Sequence, residues 1–423
     1  MTEHSLVIDN EKCNGCTVCL RACPTQALIV RDGKAQLIND RCIDCGECVR
    51  ICPEKAIRSR RDPFETVEAY TYKLLVYSPV IFAQFKDYHD YEKVLYLFRH
   101  MGFDDITGVD TGGYIAADII RNFLKDRKNR KRPYISTNCP AVCRLIQNKY
   151  PGLIEHVLPI RSIADIAGEY LKHKFITTRK VDPKDVGLFY ISPCPAKLVP
   201  SRQGEGCHNV FDGIFSMGDI YNKLMFLMED KTIPYTEQEM KTTKFALRWS
   251  SFGDVEHKFK EFTTLRIDGI KNVIRFLDRL ENGIVEDVDF VDMYSCDNGC
   301  VGGVFAKEDP HIAEYRIKRI ADRFPERIDK TPFLCNEETC EIKMNFSYDP
   351  KVPEKQELKL AIQTLAEIES LYKKLPGLDC AACGSATCYN FAEDIIVRKD
   401  VTIDDCPIIR NEKLSGLLKD PSP

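Results

Sequence analysis

From about residue 65, short apolar runs alternate with longer stretches of helical period. YKLLVYSP, VGLFYISP and DFVDMYS read as strands, whereas YEKVLYLFRH and IKNVIRFLDRL place their apolar residues on one face of a helix. This alternation predicts an α/β domain with a mainly parallel sheet. Three strand-like runs lead straight into cysteines: PYISTNCPAVC into Cys139, VGLFYISPCPAK into Cys194, and DFVDMYSCDNGCVGG into Cys296 and Cys300. Ligands of open α/β sheets sit beyond the carboxyl ends of the strands, so three loops can bring four thiols to one point. Farther on, VPEKQELKLAIQTLAEIESLYKKLPG reads as one amphipathic helix, opened by Pro353 and closed by Pro-Gly. Leu358, Ala361, Leu365, Ile368, Leu371 and Leu375 lie near one face, which predicts packing on the α/β domain or, alternatively, a homodimer or partner contact.

No apolar run is long enough for a membrane span; LLVYSPVIFAQF (residues 74 to 85) is short and holds a proline. MTEHSLVIDN has neither the basic start nor the apolar stretch of a signal peptide. At about 150 residues per domain, 423 residues predict several domains. A net charge of -4 gives no reason to expect nucleic acid. The 20 cysteines change the picture, because most fall in tight runs at the two ends instead of being spread through a short chain. That distribution predicts metal-binding thiolates in a reduced, cytoplasmic protein, not a disulfide scaffold.

CNGCTVCLRACP supplies Cys13, Cys16, Cys19 and Cys23, followed by Pro24; CIDCGECVRICP supplies Cys42, Cys45, Cys48 and Cys52, followed by Pro53. The second run follows the first by 29 positions, and the flanks agree as well (IDNEKC with INDRC, PTQAL with PEKAI), so one supersecondary unit occurs twice. Zinc needs four ligands, normally as two separated knuckles. The crowded C-x2-C-x2-C-x3-C-P run is instead the bacterial ferredoxin pattern, in which the fourth cysteine ligates the other cluster. Cys13, Cys16, Cys19 and Cys52 are then expected to hold one 4Fe–4S cluster, and Cys42, Cys45, Cys48 and Cys23 the other.

PYISTNCPAVCRLIQNKYP, YISPCPAK and MYSCDNGCVGG resemble, in order and separation, the three signature loops of the iron-only hydrogenases. GFDDITGVDTGGY and VFDGIFSMGDIYNKL carry the likeness outside the loops, over roughly residues 65 to 305. The resemblance implies that Cys139, Cys194, Cys296 and Cys300 hold a third 4Fe–4S cluster. Cys300 would bridge to a 2Fe subcluster bearing CO, CN and a bridging dithiolate. It implies a cyanide-directed hydrogen bond from Lys197, and a pocket lined by Ser78, Pro79, Pro140 and Gly302. The implied activity is reversible heterolytic cleavage of H2, with ferredoxin as the electron carrier (H2 + 2 oxidised ferredoxin = 2 reduced ferredoxin + 2 H+). Maturation proteins would be needed to load the cofactor, and the host would be an anaerobe.

The chain departs from the family where protons move. Asn138 stands where fast members have a cysteine that relays protons to the dithiolate amine, and an amide has no titratable proton near neutral pH. Ser192 and Tyr294 replace expected methionines, and the helix after DTGGY offers only Asp118 in place of the expected acidic residues. Every ligand is kept while the fast proton exit is lost, which resembles the sensory branch of the family. The alternatives are a catalytic, ferredoxin-linked hydrogenase and an iron–sulfur electron-transfer or cluster-assembly protein without a diiron centre.

Cys380, Cys383, Cys388 and Cys406 form C-x2-C-x4-C-x17-C with a closing proline, resembling a small 4Fe–4S domain found as an add-on in redox proteins, with zinc as the alternative occupant. It implies a second electron port, with output to a downstream signalling or redox partner. Cys143, one turn from Cys139, reads as packing, and Cys207, Cys335 and Cys340 have no assigned role. KDRKNRKR (125 to 132) reads as a solvated helix end, with docking of an acidic carrier as the alternative. The expected architecture is α/β multidomain: a two-cluster ferredoxin-like α+β domain (1–62), an α/β hydrogenase-like domain (63–350), and the amphipathic helix with an α-rich iron–sulfur domain (351–423).

Overall fold

The computed structural model of the chain describes residues 4–87, 90–125, 132–199, 210–234, 240, 242–249, 259–326 and 355–411. Cys207, Cys335, Cys340, Pro353 and residues 126–131 of the basic run lie outside them. Where three successive domains are expected, the chain divides into two compact units. The larger comprises Met1–Ser5, Ile43–Gly46 and Ser59–Tyr348, and the smaller Leu6–Cys42, Glu47–Arg58 and Asp349–Pro423.

In the smaller unit, strand β2 (Leu28–Arg31) pairs antiparallel with β3 (Lys34–Leu37), with Leu28 opposite Leu37, while β1 (Leu6–Ile8) pairs with β4 (Ile57–Ser59). Short helices Val18–Ala22 and Glu47–Ile51 follow corresponding cysteines of the two runs. The repeat is visible in the backbone. Left-handed residues recur 29 positions apart at Gly15 and Asp44, at Thr17 and Gly46, and at Gln26 and Lys55. These kinks curl each loop around its thiols, and the helix–hairpin core of Leu20, Leu28, Ala35 and Ile57 takes in Cys19 and Cys48. At the other end of the chain, helix Lys355–Tyr372 packs Ile368 and Leu371, and just beyond it Leu375, on Phe391, Ala392 and Cys406. The packed part of the predicted face therefore covers the C-terminal cysteine loops, a partner that its periodicity did not name. Ala361 and Leu365 of that face are exposed.

The larger unit holds a four-stranded sheet in the order β6 (Asp105–Gly108), β5 (Tyr72–Tyr77), β8 (Val186–Ser192), β9 (Gly213–Ser216). A three-stranded sheet has the order β10 (Thr264–Asp268), β11 (Phe290–Tyr294), β7 (Tyr134–Ile135). All pairings within both sheets are parallel, as the alternation predicts. Side chains of the larger sheet alternate between two cores. Leu74, Val76, Leu188 and Ile214 meet helices Val109–Lys125 and Ile163–Arg179 on one face. Leu75, Phe189, Ile191 and Phe215 meet helices Tyr91–His100, Met217–Glu229 and Pro310–Ala321 on the other. Both faces are covered, which is why β8 reads as an unbroken apolar run and is buried throughout. No described helix is long and apolar enough to cross a membrane.

Candidate metal centre

Parallel strands send their carboxyl ends to one side of a sheet, and four such ends carry the predicted site residues. β5 leads directly to Ser78, β7 leads through Asn138 to Cys139, β8 leads to Cys194, and β11 leads to Cys296 and Cys300. Helix Pro140–Lys149 starts directly after Cys139, and a 3-10 turn over Pro195–Leu198 carries Lys197 back toward the first loop. There the Lys197 ammonium donates to the backbone carbonyl of Asn138 at 3.3 Å. The thiols converge: the Ser295 hydroxyl lies 3.6 Å from Cys139 Sγ and 3.8 Å from Cys296 Sγ. Cys300 feels the charges of both Cys194 and Cys139. Gly303 seals two loops together, because a Cβ there would collide with the Pro193 carbonyl. Beside these loops is a small, mostly enclosed cavity, whose wall carries Ser78, Asn138, Lys197, Tyr294 and Cys300, with Tyr190 and Trp249.

Part of the predicted pocket is placed differently. Ser192 does not line the cavity; its hydroxyl donates to the Cys194 carbonyl at 2.8 Å and accepts from the Cys194 amide at 3.3 Å, shaping the loop that presents the thiol. Pro79, Pro140 and Gly302 lie off the cavity as well: Pro140 opens its helix, and Gly302 permits close passage of the Asp297 carbonyl, which a Cβ would strike. Asp118 is exposed and pairs with Arg121. Cys143 is buried, directly after the core residue Val142, in keeping with its reading as packing.

In the smaller unit, a small cavity is lined by Cys13, Cys16, Cys19 and Cys52, so the last cysteine of the second run stands with the first three of the other. The Ala35 amide donates to Cys13 Sγ at 3.3 Å and the Ala27 amide to Cys23 Sγ at 3.2 Å, the kind of bond that tunes cluster potential. Cys23, Cys42 and Cys48 belong to this unit and Cys45 to the larger one. A second small cavity is lined by Cys380, Cys383, Cys388 and Cys406.

Residues 73–212 and 216–304, together more than half of the chain, match the family model for the C-terminal domain of the iron-only hydrogenase large subunit. The chain belongs to the iron-only hydrogenase family. Residues 5–53 match a 4Fe-4S dicluster domain and 375–408 an Fe-S cluster model. Iron hydrogenase 1 of Clostridium pasteurianum is 20% identical over 280 residues, 54% of this chain and 47% of that protein. The cytosolic Fe-S cluster assembly factor NAR1 of Yarrowia lipolytica is 26% identical over 109 residues, 26% of this chain and 22% of that protein. The chain thus matches about half, or less, of the length of these curated relatives. Among solved structures, a variant of the [FeFe]-hydrogenase HydA1 of Chlamydomonas reinhardtii aligns with a TM-score of 0.45 at 16% identity, covering 59% of this chain and 83% of that one.

The donor set of this hydrogenase-family site suits an iron–sulfur cubane, since four soft thiols meet without carboxylate or imidazole among them. Burial first, then the charges of Cys194 and Cys139, push the Cys300 thiol up to about 12, with Lys197 opposing. A bound cationic cluster would reverse that balance and hold the thiolates. Burial disfavours the Lys197 charge, yet Tyr190, Cys300, Cys194 and Asp165 outweigh it and raise its pKa, so it stays an ammonium donor on the cavity wall. Sequence reasoning missed Asp292. This carboxylate is fully buried in β11, and four donors converge on it: Ser136 Oγ at 2.5 Å and Asn138 Nδ2 at 3.4 Å on one oxygen, Tyr294 Oη at 2.9 Å and Trp249 Nε1 at 3.1 Å on the other. Burial, and then the charge of Asp292, hold the Tyr294 phenol well above its ordinary pKa, so it is a fixed donor to that carboxylate. The one available signal was a single charged residue inside an apolar strand.

Proposed function

We propose that the chain cleaves H2 reversibly at low turnover and reports hydrogen or redox state to a partner. In this reading Cys139, Cys194, Cys296 and Cys300 would hold a 4Fe–4S cluster, and Cys300, which lies on the wall of the adjoining cavity, would also help to hold a diiron cofactor there. When bound, that cofactor supplies the heterolytic cleavage of H2. The chain supplies the surroundings: Lys197 offers an ammonium donor, while Tyr190, Trp249 and Tyr294 wall the cavity against bulk water. The observation that carries the low-turnover reading is Asn138. Its amide is held toward Asp292 and has no proton to give near neutral pH, so the residue next to Cys139 holds a position without relaying. Electrons would pass through cubanes to a ferredoxin-class carrier or a redox-signalling protein, and maturation proteins would load the diiron group.

Infrared spectra of the matured protein, recorded with and without H2, test the reading. Carbonyl and cyanide bands that shift under H2, together with slow H2 production, are expected. The match to a cluster-assembly factor favours a second reading, a cubane protein without diiron chemistry. Fully loaded cubanes with no such bands would establish that second reading and overturn the first. Bands accompanied by fast turnover would point to a catalytic hydrogenase, as the match to iron hydrogenase 1 suggests.

A further inference from the structure

Two cysteine sites of the smaller unit, contributed by opposite ends of the chain, meet where a ligand loop of one touches a wall strand of the other. Val30 lines the cavity of Cys13, Cys16, Cys19 and Cys52. Its amide donates to the carbonyl of Gly384 at 2.8 Å, and Gly384 directly follows Cys383, which lines the C-terminal cavity. The approach is so close that a Cβ on Gly384 would collide with the Val30 carbonyl oxygen, and its φ of +81° is open to glycine at little cost. We propose that these two sites exchange electrons directly across the Val30–Gly384 hydrogen bond, and that Arg31 is the positioning residue that keeps them together.

Arg31 is built for that task. Nη1 donates to the carbonyls of both Val30 and Gly384, at 3.0 and 3.1 Å, clamping the two partners of the contact. Nη2 donates to Asp394 at 2.7 Å and Nε to Asp400 at 3.2 Å. The Arg31 side chain is 12% exposed and that of Asp394 0%, so this pair is largely withdrawn from solvent screening. Ser385, beside Gly384, donates to the same Asp394 oxygen at 2.5 Å. Asp394 opens a short π-helical turn, Asp394–Arg398, an irregularity common at functional positions. A second pair, Arg41 with Glu393, joins the same two segments. One hydrogen bond therefore separates the backbone of a C-terminal ligand loop from the wall of the other site. Electron tunnelling weakens steeply with distance, and a covalent and hydrogen-bonded route weakens it least.

Cys380, Cys383, Cys388 and Cys406 would hold the donor cubane, and Cys13, Cys16, Cys19 and Cys52 the acceptor. With both bound, the transfer would oxidise the donor and reduce the acceptor by one electron, with no bond made or broken and no proton moved. A low-potential one-electron carrier acting at the exposed Cys380 supplies the electron. The proposal requires cubanes at both sites but no diiron cofactor, so it stands or falls separately from the H2 reading.

Electron paramagnetic resonance of the full chain, loaded with cubanes only and reduced with dithionite, is the test. In the unmodified chain the C-terminal cubane's signal should relax fast through spin coupling to its neighbour. That coupling should disappear in Cys52→Ser, which removes the neighbour, and in Arg31→Ala with the C-terminal iron retained; Arg31→Lys should restore part of it. A C-terminal signal that relaxes equally slowly in the unmodified chain and in Cys52→Ser would overturn the proposal. Coupling unchanged in Arg31→Ala would overturn the role of Arg31. Should Arg31→Ala lose its C-terminal iron, Gly384→Ala decides: it keeps every charge but pushes the loop off Val30, and unchanged coupling there would count against the contact as the route.

Discussion

In the proposed low-turnover reading, the side chain of Asn138 is what limits how fast a proton leaves the cavity. Its neighbours Asp292, Ser136, Tyr294 and Trp249 are joined in one buried network, and the amide adds a donor to that network without adding a titratable group. A positioned proton-transfer group contributes about 100-fold to 10,000-fold in rate. Asn138→Cys in matured protein is therefore expected to raise H2 production from a reduced dye by about 100-fold or more. The backbone carbonyl that receives Lys197 stays in place in that variant. An unchanged rate would move the bottleneck away from this residue. Asn138 was legible in the sequence because it adjoins a ligand inside a recognisable loop. Asp292 was not, because its donors come from positions 136, 138, 249 and 294, and only the folded sheet brings β7, β11 and the segment of Trp249 together.

The strand-end cysteines were legible as elements because parallel strands buried on both faces leave continuous apolar runs that stop where the loops begin. Less visible was the helix Val109–Lys125, whose second residue, Asp110, is buried. An anion at a helix N-terminus gains about 0.3–1 kcal/mol from the macrodipole. Burial outweighs that gain and pushes the Asp110 carboxyl from 3.8 up to about 6, with the hydroxyl of Thr242 opposing. The sign follows from proton binding. Between pH 3.8 and about 6 the unfolded chain has lost this proton and the folded chain keeps it, so stability falls as pH rises and then levels off. The shift corresponds to roughly 3 kcal/mol at neutral pH. Asp110→Asn removes the titration and should gain stability relative to the unmodified chain as pH rises from about 4 to about 7. Denaturation midpoints of the two proteins that stay parallel across that range would show that Asp110 is not buried as an acid.

At the scale of the whole molecule, the sequence alone suggested cysteine-rich domains in succession, whereas folding joins the two ends into one unit through residues as far apart as Arg31 and Asp394, 363 positions in the chain. No local spacing encodes such a contact; it depends on a hairpin edge meeting a glycine that permits close approach. The N-terminal runs differ, because there the long-range grouping was legible in the spacing. The C-x2-C-x2-C-x3-C-P pattern leads one to expect Cys52 with Cys13, Cys16 and Cys19 and not with Cys42, Cys45 and Cys48, and Cys52 does line the cavity of those three. Cys16→Ser and Cys52→Ser, in opposite runs, should therefore each lower the iron content by one cubane and abolish the same paramagnetic signal. Cys48→Ser, four positions from Cys52, should abolish a different one, because Cys48 does not line that cavity. If Cys52→Ser and Cys48→Ser instead removed one common signal, ligation would follow the runs, and the hydrogen-bond route from Val30 would lead to a site lacking its fourth thiolate. The crossed cavity makes the two runs interdependent: the first run supplies only three of its four thiols and Cys52 of the second run the last, so a change in either run is expected to empty this one site.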